Sequence, residues 1–192
     1  MASPVDMTGY RAMAESAHRA SRATGSRRVV SNRGPEHARA VTDVLVTSAE
    51  RHLSFLCGHF SSDIFDAGRI REFLDGPGAS ISVLLDKVPD TGHRSALSEL
   101  GAYMVGDDPK LKVRRLEHPA SVHFGIADDR DVRIETDTQS RKVTVVFGDP
   151  VVARSATRKF KSLWDAAVRV TPQELGASAT RLIDQAGEVL GG

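Results

Sequence analysis

The sequence predicts an α/β domain built on a mixed sheet, and three observations predict it. Helical and extended apolar patterns alternate from residue 36 to residue 85. Three strand-like runs then follow one another up to Phe147, with no helical pattern between them. A helix signal, Asp149-Pro150, closes the series. The domain is expected over residues 36–168, with a basic helix and linker over residues 1–35 and an amphipathic helix over residues 169–192. The chain of 192 residues is long enough for one domain with a real core and roughly 40 residues besides.

Residues 10–24 have high helix propensity but few large apolar side chains. Tyr10, Met13, Ala17 and Ala20 form a thin stripe, which predicts a surface helix. The alternative is a basic arm that touches a partner or a polyanion, with Arg19, Arg22, Arg27 and Arg28 as its contacts. Gly25 to Gly34 reads as a linker, interrupted only by Val29 and Val30. Pro35 and Glu36 suit the first turn of a helix over residues 35–50, with Ala38, Val41, Val44 or Leu45, and Ala49 at its period. Leu53 to Phe60 fits a buried strand, with Cys57 as a small core residue and His59 near its end.

Ser61 or Ser62 can cap the next helix, whose apolar positions are Ile64, Phe65, Ile70, Phe73 and Leu74. Gly76-Pro77-Gly78 stops it, and Ile81 to Leu85 is a second strand. Residues 86–95 read as a loop, and Ser95 to Val105 as a helix with Leu97, Leu100 and Met104 on one face. Leu111 to Leu116 alternates as a strand near a sheet edge, because Lys and Arg occupy one of its faces. Ser121 to Asp137 reads as two short strands joined by the charged turn Asp128 to Asp131. Gly125, inside the first of them, can mark close approach by another group.

Lys142 to Phe147 is strongly strand-forming. The helix from Asp149-Pro150 has Val152 or Ala153, Ala156, Phe160, Leu163 or Trp164, and Ala167 as its apolar face. Thr171 to Glu174 combines a cap, an early proline and the glutamate of a capping box. Leu175, Ala179, Leu182, Ala186 and Val189 follow as a stripe that packs back on the domain or pairs with another subunit or protein.

Several function classes are excluded. There is no phosphate loop of the P-loop or Rossmann type, no HExxH, no CxxC and no GxSxG elbow. The seven histidines form no metal-spaced set with carboxylates, so neither a metal nor a cofactor is expected. The single cysteine allows no internal disulfide and fits a reducing compartment. No window approaches the roughly 18 apolar residues of a membrane span, and the start has no apolar signal region, so the expected location is the cytoplasm. A formal net charge of +1 makes no case for nucleic acid or membrane, although residues 1–40 carry seven arginines against three acids.

His123 remains as the best single candidate. A strand histidine between apolar neighbours is ordinarily structural. It can also attack phosphorus when a carboxylate holds its other nitrogen and fixed positive charge surrounds the phosphoryl oxygens. The nearby cations are Arg130 and Arg133, and the nearby carboxylates are Asp128, Asp129, Glu135 and Asp137. Arg133 and Glu135 share a strand face and can form an internal ion pair.

Over residues 38–167 this layout resembles one repeat of the phospholipase D-like superfamily. The resemblance rests on the front half of helix, strand, helix and strand. It rests also on a strand with a small residue after the histidine, then an acidic turn, and on the closing segment VTVVFGDPVVARSATRKFKSLWDAA. It implies an α/β/α sandwich. It also implies two histidine motifs meeting within a chain or across a dimer, one forming a phosphoenzyme and the other acting as general acid. The family motif is His, one residue, Lys, four residues, Asp. Matched on His123, it places Gly125 at the lysine and Arg130 at the aspartate, with Asp128, Asp129 and Asp131 close by. A missing transition-state donor costs a factor of about 10²–10³.

The departures favour a non-catalytic interaction, sensor or regulatory module with a nucleotide or phosphate ligand. Such a module would associate with itself or with a protein partner through its terminal helices, and nucleic acid is a further candidate partner. The alternatives are a homodimeric phosphodiesterase or nuclease using His123, and an unrelated α/β structural or adaptor domain.

Overall fold

The computed structural model describes residues 7–31, 34–89, 94–137 and 141–176. Helices α1 (Met7–Thr24), α2 (Pro35–Ser48), α3 (Ala67–Asp75) and α4 (Pro150–Ala166) pack on a single sheet. Its strands are β1 (Arg28–Ser31), β2 (His52–Cys57), β3 (Ser80–Leu85), β4 (Leu111–Arg115), β5 (His123–Ala127), β6 (Asp131–Asp137), β7 (Lys142–Phe147) and the short β8 (Val168–Arg169). They lie in the order β1-β7-β6-β5-β2-β3-β4-β8. β2, β3 and β4 run parallel, and every other pairing is antiparallel. The sheet is therefore mixed, as expected.

Period-two alternation divides the apolar residues between two cores. Phe55, Val83, Leu85 and Val145 face the layer of α1, α2 and α3, where Ala14, Leu45 and Leu74 meet them. Leu56, Leu84, Phe124 and Ile126 face the other way, onto Phe160 of α4. This is an α/β/α sandwich. Asp149 caps α4 as expected, accepting from the amides of Val151 and Val152 at 3.0 Å each. Among the described residues no helix is long and apolar enough to cross a membrane.

Five local expectations are corrected. The stretch Gly25 to Gly34 is not only a linker, because it holds β1. Val30 is buried and Val29 exposed, so two β-branched residues suffice to extend the open edge of β7. The buried positions of α1 are Ala14 and Ser21, with Tyr10 and Ala17 beside them, while Met13 is 49% exposed. Small residues let this helix approach closely. α3 begins at Ala67 rather than near Ser61, because Asp66 takes the cap and accepts from Arg69 N. Ser61 instead closes a turn, its carbonyl accepting from Ile64 and Phe65. The helix expected over Ser95 to Val105 is two 3₁₀ turns, Ala96–Glu99 and Gly101–Met104. The capping box at Thr171 is formed, both its amide and hydroxyl lying 2.8 Å from Glu174 Oε2. It opens a 3₁₀ turn, Gln173–Leu175, that ends at Gly176 with φ of 76°. The remainder of the expected terminal helix lies outside the described residues.

α1 is held by polar contacts at its second half. His18 Nε2 faces Asp131 Oδ2 at 3.4 Å, and Arg130 donates to Ser21 O at 3.3 Å. Gly148 donates to Asp131 Oδ1 at 2.6 Å and has a left-handed φ of 70°. A Cβ there would lie 2.1 Å from Ser21 Oγ. Gly148→Ala is expected to cost about 1–3 kcal/mol in urea denaturation, part steric and part backbone strain. Ser21→Ala in the same chain should recover the steric part only.

Burial lowers the pKa of His18 from the ordinary 6.5; Asp131 opposes this, and Arg22 and Arg130 reinforce it. Burial also lowers His52. The unfolded chain therefore binds protons that the folded chain refuses. Stability should be full above pH 6.5, fall as pH drops through that value, and level off below the folded pKa. Urea midpoints between about pH 7.5 and about pH 5 should show a shallower slope in His18→Gln than in the parent chain.

Candidate functional site

At one end of the sheet, the carboxyl ends of β2 and β3 meet the start of β5 and the close of β6. β2 has a parallel neighbour on one side and an antiparallel one on the other, so the strand direction switches here. Ligands of open α/β sheets sit beyond carboxyl ends at such points. The ladder places His123 opposite Glu135 and Gly125 opposite Arg133. Period two puts all four positions on one face, the face covered by α2.

His123 is 7% exposed. Its Nε2 lies 2.7 Å from Asp86 Oδ2, and its Nδ1 lies 3.9 Å from Glu135 Oε2. The other oxygen of Asp86 accepts from Ala120 N at 2.9 Å. Glu135 is itself buried and receives Arg133 Nη2 at 3.3 Å and Arg141 Nη1 at 3.5 Å. Arg133 is only 2% exposed, and its Nε is buried without a hydrogen-bond partner among the described residues. Burial lowers the Arg133 pKa from its ordinary value, and the Glu135 carboxylate opposes the shift.

A cavity of about 180 Å³ opens among these groups, lined by Cys57, His59, Ser61, His123, Arg133 and Arg141, with Glu135 on its wall. Burial pushes the Cys57 thiol up to about 12, so it stays protonated and is a poor nucleophile. Phe60, on the rim, has φ of 55°, a left-handed conformation that costs a bulky residue about 1–3 kcal/mol. Its carbonyl is fixed by Ala96 N at 3.2 Å and Ser95 Oγ at 3.3 Å, and its ring stacks on Phe65 at 3.8 Å. Among the described residues no cluster of three or more His, Cys, Asp or Glu could hold a metal ion.

Gly125 marks a close approach, as expected. A Cβ added there would stand 2.7 Å from two ring atoms of Phe55 and 3.4 Å from Leu45. No lysine fits without moving that ring. The cation on this face comes from the adjacent strand, as Arg133.

The structure brings His123, Arg133 and Glu135 together but sets Asp128 and Arg130 in the turn at the opposite end of the hairpin, with Asp128 five residues beyond His123 or about 17 Å along the strand. There the Asp128 carboxylate accepts the amides of Glu50, Arg51 and His52 at 2.6, 2.9 and 2.9 Å, joining the hairpin to β2. Arg130 serves α1 instead. Of the N-terminal arginines, Arg19 faces Glu15 at 3.9 Å, Arg22 pairs with Glu50, and Arg27 lies 3.5 Å from Asp149. Arg28 is exposed on the edge strand β1. Asp86 and Arg141 are site residues that sequence reasoning missed. The one local signal for Asp86 is that it is the first charged residue after the buried run ISVLL.

No family model and no curated protein matches the chain in sequence. Solved structures match it in fold. NUC from Salmonella typhimurium, a phospholipase D family member, aligns with a TM-score of 0.58 at 15% identity, over 76% of this chain and 99% of that one. The chain shares its fold with phospholipase D superfamily members. NucT from Helicobacter pylori aligns at 0.56 and 13% identity, over 76% of this chain and 99% of that one. TrmBL2, an archaeal chromatin protein with a novel mode of DNA binding, aligns at 0.60 and 22% identity over 74% of this chain. The present chain covers only about half of TrmBL2, 54% of its length. At these identities the likeness is one of fold.

Gly125→Ala is expected to lower stability by about 1–3 kcal/mol in chemical denaturation, because the Phe55 ring must give way. Combining it with Phe55→Leu should produce a favourable coupling of at least about 0.5 kcal/mol in a double-mutant cycle.

Proposed function

We propose that the chain is a non-catalytic sensor or interaction module, and that the cavity beside His123 recognises a small phosphoryl-type oxyanion. The observation that carries this reading is Arg133, a buried guanidinium at the cavity wall whose Nε–H has no partner among the described residues. Arg141 and the Ser61 hydroxyl line the same space and add donors. The volume of about 180 Å³ corresponds to about six waters at ~30 Å³ each. That suits a tetrahedral oxyanion and falls short of a nucleoside, so a nucleotide would enter by its terminal phosphate.

The surroundings of His123 speak against hydrolysis. Nε2 is held by Asp86, so only Nδ1 could meet a substrate, and it faces the Glu135 carboxylate at 3.9 Å. A phosphoryl group approaching that nitrogen would meet like charge. The lysine donor is missing from the β5 face, and Arg133 is already engaged with Glu135. One observation favours the alternative of a phosphodiesterase or nuclease using His123: His59 lines the same cavity and would supply a second histidine within one chain. As part of the main reading, the module works in the cytoplasm around the domain expected over residues 36–168, to which α1 and β1 add a packed helix and an edge strand. It associates with itself or a protein partner through residues 1–35 and 169–192.

Calorimetric titration with inorganic phosphate tests the proposal. Saturable binding is expected, weakened at least about tenfold by Arg141→Gln, the loss of one charge-assisted donor. Hydrolysis of bis(4-nitrophenyl) phosphate should be absent and unaffected by His123→Ala. Failure to bind phosphate overturns the oxyanion reading, and hydrolysis abolished by His123→Ala replaces it with the phosphodiesterase.

A further inference from the structure

The opposite face of the sheet carries a second, larger cavity. α4 covers that face only in part, with Phe160 set edge-on to Phe124 at 6.5 Å. Between α4, β5, β6 and the segment 116–122 lies a cavity of about 630 Å³. Ligand pockets span ~300–1,000 Å³. Its floor is apolar, made by Leu56, Phe124, Ile134 and Leu163. One wall is fixed in advance, because Ala120 N is bonded to Asp86 Oδ1 at 2.9 Å.

Charge is confined to the rim and has one sign. Lys159 and His118 line the opening, and among the described residues no carboxylate does. The neighbouring surface of α4 is also basic, with Arg154, Arg158, Lys159 and Lys161 exposed against the single acid Asp165. None of these four cations is in an ion pair within the described residues. A neutral polar solute would find few partners on this floor, and a polyanion would leave the floor uncovered. A hydrocarbon with one terminal anion complements both parts.

We propose that this groove binds a linear hydrocarbon carboxylate, its chain on Phe124 and Ile134 and its head at Lys159. The site is separate from the oxyanion cavity, which lies across the sheet, so each can fail without the other.

Calorimetric titration of the full chain with octanoate, decanoate and decanol, all below micelle formation, tests this. Each buried methylene strengthens binding about fourfold, so decanoate should bind at least about tenfold tighter than octanoate. Decanol should bind more weakly than decanoate. Ser155→Trp, which fills the groove from an exposed helix position, should weaken decanoate at least about tenfold. Lys159→Glu should weaken decanoate and leave decanol unchanged; circular dichroism confirms that both variants fold. Absence of saturable binding, equal affinity for decanoate and decanol, or decanoate binding that survives both substitutions would overturn the proposal.

Discussion

A guanidinium buried in an α/β core has to be neutralised where it stands, and the Arg133–Glu135 pair does this with both residues on one strand. The rest of the site is a consequence. Glu135 is shared with Arg141 and faces His123, and His123 is in turn held by Asp86. Removing one partner of a buried pair leaves a charge with no solvent to receive it, so each member depends on the next. The network collects His123, Arg133 and Glu135 at one sheet end, while Phe55, Val83 and Leu85 of the same sheet pack on apolar residues. Phe55 closes over Gly125 on that same face, which confines the cavity to the strand ends.

Much of this was legible in local pattern. Period two alone puts Arg133 and Glu135 on one face. A glycine inside the alternation of β5 signals a close neighbour, although only the fold identifies it as Phe55. What was not legible depends on contacts distant in sequence. β1 exists because β7 offers an open edge, not because RVVS is a strong strand. The inward face of α1 was misplaced because side-chain size suggested Met13, whereas close approach to Gly148 selects Ser21. The 3₁₀ turns after Ser95 share the spacing of a helix at Leu97 and Leu100, and differ only in where the backbone bonds end. Asp86 stands 37 positions from the histidine it holds, with no period connecting them.

The comparison with the phospholipase D fold concerns charge placement more than ancestry. In the motif the cation follows the histidine by two residues on the same strand. Here that position is glycine, and the guanidinium stands across the ladder on β6. Cross-strand neighbours are about 4.5–5.5 Å apart, so Arg133 places positive charge on the face of Gly125 from the adjacent strand. A lysine would bring a mobile point charge, whereas Arg133 is a fixed planar fork already committed on one side to Glu135.

Asp86 gives the two cavities a common boundary. One carboxylate oxygen holds His123, on the wall of the smaller cavity, and the other holds Ala120, on the wall of the larger one. β5 repeats the relation along the chain, since His123 and Phe124 are consecutive and point to opposite faces. A displacement of the segment 116–122 must either break the bond to Asp86 or carry that carboxylate with it. In the second case the imidazole loses its orientation.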